Sequence, residues 1–87
     1  MAKKTKHYES LPQEFVKLPK KVRDAVAYWA THTFYNERQT VSVEGYTICV
    51  NPIVSTAEND SKEYAVVRVF KGLALFQGWL PLKYFQH

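Results

Sequence analysis

Thr40-Val41-Ser42-Val43-Glu44-Gly45-Tyr46-Thr47-Ile48-Cys49-Val50 is the stretch that decides the fold. Apolar and polar residues alternate on both sides of Glu44-Gly45, a period of two that belongs to strands. A two-residue hairpin loop needs positive φ at its centre, which glycine adopts without steric cost. Folding the chain back there puts Val41, Val43, Tyr46, Ile48 and Val50 on one face. Thr40, Ser42, Thr47 and Cys49 then line the other, so this first hairpin is apolar on one side only. Pro52 has no N–H to give a ladder and either ends the second strand or confines it to an edge.

Further along, Lys71-Gly72 reads as the turn of a second hairpin. One face is then expected to carry Val67, Val69, Ala74 and Phe76. The opposite face carries Tyr64, Val66, Arg68, Phe70, Leu73, Leu75, Gln77 and Trp79. Both faces are apolar, the pattern of strands covered on both sides. Pro81 stops the last strand. Residues 55–62 between the hairpins read as a polar loop.

Upstream the period lengthens. Val22, Val26, Trp29 and Thr33 recur at spacings of four, three and four, with Ala25 and Ala30 widening the stripe into an amphipathic helix. Pro19 suits its first turn and Asn36 its end. Ser10-Leu11-Pro12-Gln13 fits a capping box opening a shorter helix. Leu18, held away from helical geometry by Pro19, closes it. Residues 1–9 read as a flexible basic arm, and residues 10–87 as a single α+β domain. That domain is a short N-terminal helix plus one amphipathic helix packed on a four-stranded antiparallel sheet made of two hairpins. One long helix covers one face. The other needs the short helix, the tail Leu82-Lys83-Tyr84-Phe85 or another protein chain.

Charge is lopsided. Seven of the twelve basic residues fall in the first 23 positions, and against Glu9 and Glu14 they leave that segment at +5. Five basic and six acidic residues in 24–87 leave the body at −1. Such asymmetry bears on partners rather than on the fold. Lys3, Lys4, Lys6, Lys20, Lys21 and Arg23, with Lys17 in addition, are candidate phosphate contacts for nucleic acid, giving affinity with weak sequence preference. An acidic protein surface is the other anionic partner. Lys20, Lys21 and Arg23 stand where the helix dipole disfavours cations, which makes stability a poor reason for their presence.

The second hairpin carries a rival surface. Tyr64, Val66, Arg68, Phe70, Leu73, Leu75 and Trp79 form a candidate interface for a homo-oligomer or another protein. Arg68, amid apolar neighbours, requires an exit to solvent, an acid or an interface. The same aromatics could stack bases, but alternation with Val and Leu is first of all a core pattern.

Chemistry is otherwise thin, and neither a catalytic site nor a cofactor is expected. Cys49 is the only cysteine, so there is no intrachain disulfide and no thiolate metal cage, and a reducing cytoplasm is the expected compartment. His32 is the base that a Cys49 nucleophile would need, but no spacing brings them together. Glu58, Asp60 and Glu63 lack the glycine and the spacing of a calcium loop. The longest uncharged stretches, residues 45–57 and 72–82, are too short to span a bilayer as a helix. No small-molecule substrate or membrane is implied. The expected function is a small, non-enzymatic binding module, for nucleic acid through the Lys/Arg segment or for protein through the second hairpin.

Overall fold

The computed structural model describes residues 11–55 and 62–86. The arm at residues 1–9, Ser10 and most of the polar loop lie outside them. Within them the order is α1 (Gln13–Val16), α2 (Lys20–Thr31), β1 (Gln39–Val43), β2 (Tyr46–Ser55), β3 (Lys62–Lys71) and β4 (Leu73–Pro81), then a 3₁₀ turn at Leu82–Tyr84. The four strands form one antiparallel sheet in the order β1-β2-β3-β4. The expected α+β architecture is present.

Both helices start on a proline. Pro12 is the N-cap of α1, and its carbonyl accepts from the Phe15 and Val16 amides at 3.1 and 3.0 Å. The expected Ser10–Gln13 capping box therefore does not start this helix. Pro19 precedes α2 as its N-cap, one residue before its expected place, and accepts from Val22 and Arg23 at 3.0 Å. Extended ψ at both prolines, 155° and 149°, sets the entry angle. Val22, Val26 and Ala30 are buried, with Ala25 and Trp29 packed beside them.

The helix stops at Thr31, two residues short of the end of the apolar stripe. Thr31 Oγ1 donates to the Ala27 and Tyr28 carbonyls at 2.9 and 3.1 Å, and His32 Nδ1 lies 2.7 Å from the Tyr28 carbonyl. Side chains take up the carbonyls that a further turn would have used. Asn36 acts beyond the helix: at φ 68° it turns the chain toward the sheet, and its amide donates to the Pro52 carbonyl at 2.7 Å.

The first hairpin closes as its sequence requires. Glu44 and Gly45 both have positive φ, 50° and 86°, and Val43 pairs with Tyr46. Pro52 does not end β2, which continues to Ser55. The β1 ladder stops at Gln39↔Val50, so Pro52 lies where β2 has become an edge on that side and its missing N–H breaks no ladder bond.

The second hairpin departs from expectation. Its ladder runs to Lys71↔Leu73 with Gly72 at the apex, and the register shifts between Val69↔Phe76 and Phe70↔Ala74. Leu75 is the extra, unpaired residue of a bulge. Ala74 is therefore opposite Phe70, not on the face of Val67 and Val69. Leu73 is opposite Lys71, off the face that carries Tyr64 and Trp79.

The buried residues of the described helices and tail gather on one side. Ile48, Val50, Ala65, Val67, Val69, Phe76 and Leu80 supply the sheet's buried face. Against it lie Val22, Val26 and Ala30 of α2, Phe15 of α1, and Leu82 and Phe85 of the tail. Phe15 joins them, its ring centroid 5.6 Å from Phe76 and 6.1 Å from Phe85. The short helix and the tail, two expected covers for the second face, thus share the first face with α2.

Candidate interaction surface

The face away from that core reads as four rows across the strands. Ser42, Thr47, Phe70 and Ala74 make the row nearest the turns, and Thr40, Cys49, Arg68 and Gln77 the next. Asn51, Val66 and Trp79 follow, then Ile53, Tyr64 and Pro81. The buried residues of α1, α2 and the tail pack on the opposite face, none of these rows holds a carboxylate, and Tyr64, Val66, Phe70 and Trp79 are half-buried. Tyr64 and Trp79 lean together with centroids 5.6 Å apart at 54°. The Arg68 guanidinium lies 5.2 Å from the Phe70 ring centroid, and no acidic side chain among the described residues pairs with it. Arg68 is exposed, so its exit is to solvent along an aromatic edge.

Five of the seven candidate interface residues, Tyr64, Val66, Arg68, Phe70 and Trp79, share this face. Leu75 sits at the bulge of the edge strand and Leu73 on the opposite parity. Ile53 and the polar side of the first hairpin extend the surface beyond the second hairpin. The β-branched Ile53-Val54 after Pro52 was the signal that β2 continues.

The basic candidates occupy the other layer. Lys20 pairs with Asp24 at 2.8 Å, one turn along α2. Lys21 pairs with Glu44 at 2.8 Å, tying the helix start to the first hairpin's turn. Glu44 holds the Lys21 ammonium above its ordinary pKa, and Lys21, helped by Lys71, holds the Glu44 carboxyl below its own. Arg23 Nε donates to the Leu18 carbonyl at 2.9 Å, where the two helices meet. All three helix-start cations therefore have intramolecular partners. Lys3, Lys4 and Lys6 lie outside the described residues, and Lys17 is exposed at the C-cap of α1.

The sheet separates His32 from Cys49. The His32 ring stacks on Tyr28 at 4.1 Å on the helix layer, whereas Cys49 is on the open face, with Thr40 Oγ1 3.7 Å from its sulfur. The Glu63 carboxylate beside it raises the Tyr35 phenol pKa. Among the described residues no three His, Cys, Asp or Glu side chains converge as metal ligands, and no helix is long and apolar enough to cross a membrane. No family model, curated protein or solved structure matches the chain significantly.

Proposed function

We propose that the chain is a non-enzymatic protein-interaction module whose working surface is the open face of the sheet. The observation that carries this reading is that α1, α2 and the tail's Leu82 and Phe85 pack on the opposite face, while Val66, Arg68 and Phe70 line this one. Trp, Tyr and Arg dominate the energetics of protein interfaces, and the middle of an interface is poor in carboxylates and lysines. The four rows have that composition, with Ser, Thr, Asn and Gln around the aromatics.

Area favours the whole face over the second hairpin. Strands of nine or ten residues at ~3.3 Å per residue and ~4.8 Å between strands give roughly 500–600 Å² of flat face. Two such surfaces bury about 1,200 Å², the lower bound of specific interfaces. The second hairpin alone would supply about half of that, within the range of incidental contacts.

The test is capture by the tagged chain from cells that express it naturally. Val66→Arg and Trp79→Ala are expected to lower recovery of a specific protein at least tenfold. A Lys20→Ala/Lys21→Ala double variant retains it. Loss with the lysine variant alone overturns the reading.

The +5 of residues 1–23 favours a second reading, binding of nucleic acid. Engagement of about five of those cations gives a log–log salt slope of roughly −4 to −5. The reading holds if an oligonucleotide binds with that slope and Val66→Arg leaves binding unchanged. Binding that ignores salt rejects it.

A further inference from the structure

We infer that the free edge of β1 pairs with the same edge of a second copy, antiparallel about a two-fold axis through Val41, so that two four-stranded sheets become one. The pairing uses the sheet's edge rather than its face and is independent of what that face binds.

The edge is suited to pairing. β1 is the first strand of the sheet, and among the described residues the backbone of residues 39–43 bonds to β2 alone. A two-residue turn makes Val43 and Tyr46 a hydrogen-bonded pair, and such pairs alternate along an antiparallel ladder. Val43, Val41 and Gln39 therefore bond to β2, and the N–H and C=O groups of Thr40 and Ser42 point outward. Residues 39–43 hold no charge, no proline and no bulge. β4, at the other edge, has the usual guards: a bulge at Leu75, Pro81 at its end and α1 fastened beside it through Phe15 and Phe76. Val41 and Val43 share the face of Ile48 and Val50 but are only half-buried, because α2 lies along β2 more than along β1.

Charge names the occupant. Arg38 precedes the strand and Glu44 follows it, a cation at one end and an anion at the other. Arg38 is exposed, and no acid among the described residues pairs with it. An antiparallel copy with Val41 opposite Val41 sets Arg38 of each chain beside Glu44 of the other. Glu44 keeps Lys21 on Oε2 at 2.8 Å, and its Oε1 accepts from the incoming guanidinium. The same register overlaps all of residues 39–43 and places Thr40 opposite Ser42, whose outward groups then exchange N–H···O bonds. A shift of two residues either way shortens the overlap and parts the charges. On the core side, Val41 meets its counterpart with Cα atoms about 4.5 Å apart, which closes the half-buried seam. The two α2 helices, over strands roughly 14 Å apart, stand wider than the ~8–10 Å of packed helices and do not obstruct it.

Light scattering after size exclusion follows the mass from about 10 µM to about 1 mM, the range suited to so small a contact. It is expected to rise from 10.1 kDa toward twice that value. Over the same range, hydrogen exchange read by NMR is expected to slow at least about fivefold at the Thr40 and Ser42 amides. The double variants Thr40→Lys/Ser42→Lys and Thr40→Glu/Ser42→Glu, changed at exposed positions, each hold the chain at its single mass. Mixing them restores the dimer, because Lys then meets Glu across the seam. Arg38→Glu raises the dissociation constant about tenfold, and Val66→Arg, on the face, leaves it unchanged.

A wild type at chain mass throughout overturns the inference. So does a dimer whose Thr40 and Ser42 amides exchange as fast as in the single chain, or one indifferent to the Lys and Glu variants. Loss of the dimer in Val66→Arg moves the contact to the face and overturns it as well. An Arg38→Glu dimer as tight as the wild type's overturns the register. A chain that stays single yet captures another protein through Thr40 and Ser42 pairs its edge with a foreign strand, which rules out the second copy.

Discussion

The ring of Phe15 lies 5.6 Å from that of Phe76 at an interplanar angle of 60°, fastening a four-residue helix to the outermost strand. Phe15 is 2% exposed although α1 is too short to be stable by itself. Phe15→Ala is expected to cost about 3–5 kcal/mol, close to the whole stability of a domain this small. Urea unfolding measures it. A loss below about 1.5 kcal/mol would mean that α1 is not held by this ring.

Gly45 has φ 86°, and a Cβ there would meet only the Lys71 side chain, at an ordinary 3.7 Å from Cε and 3.9 Å from Nζ. The cost of Gly45→Ala is therefore conformational, about 1–2 kcal/mol. Asparagine tolerates the left-handed region better, so Gly45→Asn loses less. Equal losses for the two in denaturant titrations would contradict this assignment.

Arg23 and Lys20 differ although both belong to the basic cluster. Arg23→Ala leaves the partly buried Leu18 carbonyl without its charged donor and costs about 1.5–3 kcal/mol. Lys20→Ala removes an exposed pair with Asp24 and costs at most about 0.5 kcal/mol. Thermal unfolding of the two variants separates a structural cation from a solvated one, and equal midpoints would refute the distinction.

The Lys21–Glu44 pair gives a directional pH dependence. The folded-state pKa of Glu44 lies below its ordinary 4.5, so its contribution is complete above that value and is lost as pH falls through the depressed one. That of Lys21 lies above 10.5, so its contribution is complete below that value and disappears as pH rises through the raised one. The stability difference between wild type and Glu44→Gln should be flat from about pH 6 to about pH 9 and shrink on the acid side. A difference that grows on acidification would reverse the assignment.

Local chemistry made much of the sheet legible. Glu44-Gly45 names its own turn, and the alternation around it fixes which residues share a face. Elsewhere short-range rules were insufficient. Gly72 marked a turn but not the ladder's closure at Lys71↔Leu73, which moved Ala74 and left Leu75 in a bulge. Pro52 read as a stop because its missing N–H was weighed without knowing that β1 ends at Gln39. Lys20, Lys21 and Arg23 looked idle at a helix start until Asp24, Glu44 and the Leu18 carbonyl were found beside them.

The sequence by itself determined four strands, two helices and the one-sided first hairpin, because these follow from periodicity and from φ preferences within a few residues. It could not decide which side of the second hairpin faces the core. Val67-Val69-Phe76 and Val66-Phe70-Trp79 are both apolar, and burial of either releases similar water-exposed area. Tertiary packing settled it: Phe15, Phe76 and Phe85 meet in one cluster, drawing α1 and the tail to the side where α2 already lies. Among the described residues, the buried parts of α1, α2 and the tail lie on the side away from Val66 and Phe70.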